Sequence, residues 1–145
     1  MPDFIRQTFA QYAIDPAWIC FEITESCAIS QLDRAFAFIA FVRGIGATLS
    51  LDDFGSGLSS FGYLKKFQVD YLKIDGMFVK NIDHDVADRA VVESMVRVAH
   101  VHGLQTIAEF VGNAAVLKEV RALGVDYAQG YEVHVPEPLP EYWVG

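Results

Sequence analysis

The chain has 145 residues, 52% of them hydrophobic and 21% charged, with 5 prolines, a composition that fits one globular unit and excludes a disordered or fibrous segment. A formal net charge of -8 argues against a general nucleic-acid or anionic-membrane surface, so a phosphate-bearing ligand would need bound cations. No apolar run approaches the ~20 residues of a membrane-spanning helix, and the opening Met1-Pro2-Asp3 is not a secretory leader, so the expected location is cytoplasmic.

Residues 18–24 are rich in β-branched and aromatic side chains and read as a strand. Ser30, Gln31, Leu32 and Asp33 form a capping sequence for a helix that runs to about Arg43 and stops at Gly44 and Ile45. Phe36, Phe38, Ile39 and Phe41 make that helix apolar enough to be buried or to sit in an interface. Further strands are expected over 47–52, 69–75, 106–111 and 125–129, with a short helix over 60–67 and longer ones over 85–102 and 113–123. Gly103 and Gly124 repeat the helix-ending glycine, each followed by an apolar residue that can pack back on the helix. Asp83, His84, Asp85, Asp88 and Arg89 read as a solvated helix start, Glu119 and Arg121 as a solvated face, and the four histidines as surface or cap residues. Cys20 and Cys27 complete neither a disulfide framework nor a zinc pattern and read as small buried residues.

Five strands alternating with helices imply parallel βαβ packing in an α/β fold. Polar residues collect at the C-terminal strand ends: Glu22, Asp52 with Asp53, Lys73 with Asp75, Glu109, and Gln129. Their spacing scatters about the ~30 residues per unit of a (β/α)8 barrel, whose active site lies at that rim. The fold expected is therefore an incomplete (β/α)8 TIM-type barrel of about five βα units. Strict alternation would put Thr48, Ser50 and Asp52 on one face of the second strand and Leu49, Leu51 and Asp53 on the other. The carboxylates supply hard oxygen ligands suited to Mg2+ or Mn2+, and Lys73 could orient a water or offset phosphate charge. Taken singly, Glu22 reads as a salt-bridged core residue, Asp52-Asp53 before Phe54-Gly55 equally well as a turn, and Lys73 with Asp75 as a structural pair.

Glu22-Ile23-Thr24-Glu25, Asp52-Asp53-Phe54-Gly55-Ser56-Gly57, Lys73-Ile74-Asp75, Ala108-Glu109-Phe110-Val111 and Gln129-Gly130-Tyr131 resemble successive motifs of the EAL family, in order, from about Trp18 to Pro138. The resemblance implies hydrolysis of cyclic di-GMP to linear pGpG with two Mg2+ or Mn2+ ions. It implies Glu22, Asp52, Asp53 and Glu109 as metal ligands and Lys73 as the assistant of the attacking water. It further implies Gln129 as site lining, with Asp75 beside it, and Glu25 as the residue that pins the loop from Asp53 to Gly57. The Glu-Ala-Leu signature and the metal-binding Asn of the preceding strand do not occur in the chain, and Gly112 stands where the family has a further Glu. The implied unit is thus 1–145 as a partial EAL-like domain without its N-terminal strands, weakly active or inactive alone. Its open edge would be covered by the other half of a parent domain or by a second copy in a homodimer. A catalytically silent cyclic di-GMP-binding or protein-interaction module is the alternative.

Overall fold

The computed structural model describes residues 1–56 and 61–138. Helix α1 (Pro2–Gln11) starts on a proline, whose missing N–H costs nothing in a first turn, and buries Ile5. A single 3-10 turn, Pro16–Trp18, leads into β1 (Cys20–Thr24), so Trp18 lies before the strand and not within it. Helix α2 (Glu25–Ser30) follows directly, capped by the Thr24 hydroxyl on Cys27 N. Ser30 therefore closes α2 instead of capping the next helix, and α3 (Leu32–Ile45) follows Gln31, whose side chain makes no capping hydrogen bond. The glycine that ends α3 is Gly46, at φ 86, two residues beyond the expected stop. Gly44 stays helical because the apolar Ile45 continues the turn and Gly46 can take the left-handed conformation at no steric cost.

The remaining elements alternate: β2 (Thr48–Phe54), α4 (Phe61–Leu64), β3 (Tyr71–Ile74), α5 (Gly76–Val79), α6 (Val86–Val101), β4 (Gln105–Ala108), α7 (Ala114–Ala122) and β5 (Tyr127–Ala128). Among the described residues all four strand pairings are parallel and the sheet order is β1-β2-β3-β4-β5. Each strand joins the same advancing edge, without the order reversal of a doubly wound sheet. That is the progression of a barrel wall.

The core lies between this sheet and its helices. Leu49, Leu51, Leu72, Ile74 and Ala108 face Ile39 and Val42 of α3, Val92, Val96 and Ala99 of α6, and Val116 and Val120 of α7. The aromatic face of α3 is largely covered: Phe38 meets Phe21 edge-on at 5.8 Å, Phe36 lies 5.5 Å from Phe67, and the Arg6 guanidinium sits 5.3 Å over Phe41. With the hydrophobic side turned to the helices, Glu22, Ser50, Asp52 and Lys73 fall on the opposite face. Cys20 shares that face and is exposed, as is Cys27 on α2, which corrects the expectation that both are buried. Apolar neighbours in sequence are a poor guide for Cys20, because β1 is an edge strand flanked on one side only.

Candidate active site

The second strand does not keep strict alternation to its end. Its register with β3 shifts between Leu51 and Phe54, and Asp53 adopts φ 54, a left-handed conformation that aspartate tolerates better than most residues. Phe54 can then return to the core, where it is 1% exposed, while two consecutive carboxylates are left at the rim. Asp53, expected on the face of Leu51, instead joins Asp52 and Glu109: these three offer carboxylate oxygens all within 4.8 Å of one another. The donor set is hard, oxygen-only and anionic, which fits Mg2+ or Mn2+.

Lys73 stands at the centre of the cluster, its side chain 6% exposed. Its Nζ lies 2.8 Å from Asp52 Oδ1, 3.1 Å from Glu109 Oε1, and 3.1 and 3.2 Å from Glu22 Oε1 and Oε2. Glu22 on β1, Asp52 on β2 and Glu109 just beyond the end of β4 thus deliver acids to an ammonium on β3. Burial opposes the charge on Lys73, but hydrogen bonds to Asp52, Glu109 and Glu22 outweigh it and hold the ammonium well above the ordinary lysine value. Burial pushes the Glu109 carboxyl up, and Lys73 only partly offsets this. Asp53 is pushed up too, by partial desolvation and then by the neighbouring charges of Asp52 and Asp75.

Glu25, buried at the start of α2, accepts from Gly55 N at 3.1 Å, which joins it to the described part of the expected loop; Gly57 lies outside the described residues. Asp75 is spent locally, capping α5 through Oδ1 on Met77 N at 2.7 Å. Gln129 is held by its backbone, donating to Ala108 O and accepting from Val111 N. Its side chain is exposed and makes no hydrogen bond to the carboxylates among the described residues.

Two features carried no sequence signal strong enough to find them. Phe110, next to Glu109, also has φ 54, which ends β4 at Ala108 instead of Val111; its ring lies against Gly76 with Lys80 Nζ 4.4 Å from the centroid. At the opposite end of the strands, Asp126 Oδ2 accepts from Thr106 N, Thr106 Oγ1 and His100 Nε2 at 2.7, 2.8 and 2.9 Å. His100 is therefore a link between α6 and the β5 approach, and Glu119 likewise pairs with Arg89 at 3.0 Å.

The chain matches the EAL domain family over residues 1–136. It belongs to that family. It is 42% identical to the cyclic di-GMP phosphodiesterase PdeB of Shewanella oneidensis over 98% of its own length, which is 17% of that protein. Among solved EAL structures, the Xanthomonas citri FimX EAL domain in complex with c-diGMP superposes with a TM-score of 0.88 at 31% identity, covering 95% of this chain and 55% of that one. A manganese and cyclic di-GMP complex of Klebsiella pneumoniae BlrP1 superposes at 0.83 with 27% identity, covering 89% and 33%. The fold is thus that of an EAL domain, a TIM-like α/β barrel of which these five parallel strands form one part. The chain spans about a fifth of the curated relatives it matches.

Proposed function

We propose that this chain carries the metal-binding and lysine half of a cyclic di-GMP phosphodiesterase site, in a domain that opens the cyclic dinucleotide to linear pGpG. The observation that carries this reading is the convergence of Asp52, Asp53 and Glu109 oxygens within 4.8 Å, with Glu22 joined to Asp52 and Glu109 through Lys73. Glu22, Asp52, Asp53 and Glu109 would hold two divalent ions, Mg2+ or Mn2+. Such ions would supply a strong nucleophile at neutral pH and neutralise charge at the phosphate. Lys73 would orient the attacking water, whose oxygen forms the new P–O bond as one bond of the phosphodiester ring breaks. Glu25, by holding Gly55, would keep Asp53 aimed at its partners, and Gln129 and Asp75 would line the approach. The barrel is completed either by the remaining strands of a parent domain or by a second copy, and the reaction is placed in the cytoplasm.

A silent cyclic di-GMP-binding module is the second reading, favoured by Gly112, which leaves no carboxylate where the family has a Glu. Chromatography of cyclic di-GMP incubated with the parent protein and Mg2+ or Mn2+ tests the first. pGpG is expected, and Asp52→Ala should abolish it; the chain alone should turn over weakly or not at all. Nucleotide binding by calorimetry without any product from the parent would favour the second.

A further inference from the structure

Lys73 Nζ lies 2.8–3.1 Å from a carboxylate oxygen of each of Glu22, Asp52 and Glu109, three acids from separate parts of the chain. Two of those carboxylates, Asp52 and Glu109, also belong to the oxygen set that with Asp53 can enclose a cation. A divalent ion held there would share its ligands with a fixed positive charge one carboxylate away. We propose that Lys73 is an internal counter-cation that competes with divalent ions for Asp52 and Glu109, so that removing it tightens metal binding. This rests on the reading of the cluster as a metal site.

The opposite effect has a physical basis too: without Lys73 the acids could repel one another and splay. The backbone decides between the two. Asp52 and Asp53 are set by the β2 bulge, and Glu109 N donates to Ile74 O at 3.2 Å, so the ligands keep their places without the ammonium. What Lys73 removal changes is charge and availability. It deletes a like charge next to the ion and releases both oxygens of Glu22, whose side chain is half exposed and free to swing inward. Conversely, an ion entering the set draws Asp52 and Glu109 away from Lys73 and frees the ammonium to face a bound phosphate. Metal loading and the lysine's availability are then one event.

Mn2+ titration of the chain by electron paramagnetic resonance, without nucleotide, tests this. Lys73→Met should bind Mn2+ about tenfold tighter than the parent sequence, and saturating Mn2+ should raise its melting temperature by more. Should Lys73→Met not fold, Lys73→Gln, uncharged but still a donor, should show the same direction with a smaller shift. Binding by the unmodified chain that is unchanged or weakened in the variants overturns the proposal and leaves the metal site standing. No binding by any of the three at millimolar Mn2+ overturns both.

Discussion

Glu25 Oε2 accepts a hydrogen bond from Gly55 N at 3.1 Å, and so ties the first turn of α2 to the turn that follows Asp53. Glu25 is 2% exposed and the bond is part-buried, so its loss leaves Gly55 N without this acceptor where water reaches it only in part. Glu25→Ala should cost about 1–3 kcal/mol in urea unfolding. It should also weaken Mn2+ binding severalfold, since Asp53 sits only two residues before the lost anchor. A variant that loses stability while binding Mn2+ unchanged would limit Glu25 to a structural role.

Gly76 has no room for a side chain. A Cβ there would meet Phe110 Cδ2 at 2.3 Å, so Gly76→Ala must push the ring off its seat and away from Lys80. We expect a loss of about 1–3 kcal/mol, much of it absent when Phe110→Ala is already present. A double-mutant cycle reads this coupling directly, and additive effects would contradict the contact.

Gly130 is as tight and less forgiving, because the obstacle is main chain. Its φ is 154, and a Cβ would lie 2.3 Å from Val111 O and 2.4 Å from Val111 N. Gly130→Ala should destabilise by about 3 kcal/mol or more, because backbone cannot rotate away as a ring can. Measured in denaturant, it should exceed the Gly76→Ala effect.

Asp126 carries a pH signature. Burial opposes its charge, but hydrogen bonds from the Thr106 amide, His100 and the Thr106 hydroxyl outweigh this and hold the carboxyl below its ordinary value of 3.8. A carboxyl depressed on folding stabilises fully above its unfolded value, and that stability is lost as pH falls through the folded one. Asp126→Ala should therefore cost about 1–3 kcal/mol at pH 7, with the difference from the parent sequence shrinking below about pH 4. A difference independent of pH down to 2 would rule out a charged role.

Much of the architecture was legible because two simple periods carry it. Helical and strand segments alternate, and the apolar faces of β2 and β3 at Leu49, Leu51, Leu72 and Ile74 turn to the helices as a period of two requires. The charged strand ends were legible for a related reason: the acids Glu22, Asp52 and Glu109 and the base Lys73 interrupt apolar runs, and the structure brings all four together. What escaped was where the period fails. Asp53 and Phe110 take left-handed conformations that no pattern of neighbours announces, and each changes where its strand ends or points. Helices α1, α2 and α5 were too short or too weakly patterned against the strands beside them, although Pro2, Thr24 and Asp75 are their starting signals. Asp126 and His100 lie 26 residues apart, and only the folded chain makes them neighbours.

The central claim is that Asp52, Asp53 and Glu109 enclose a divalent cation. Crystals of the protein grown with Mn2+ and measured at the manganese absorption edge test it most directly. The account predicts an anomalous peak about 2.1–2.2 Å from oxygens of all three carboxylates. A map whose strongest peaks lie elsewhere, with Lys73 still bound to Asp52 and Glu109, would contradict it.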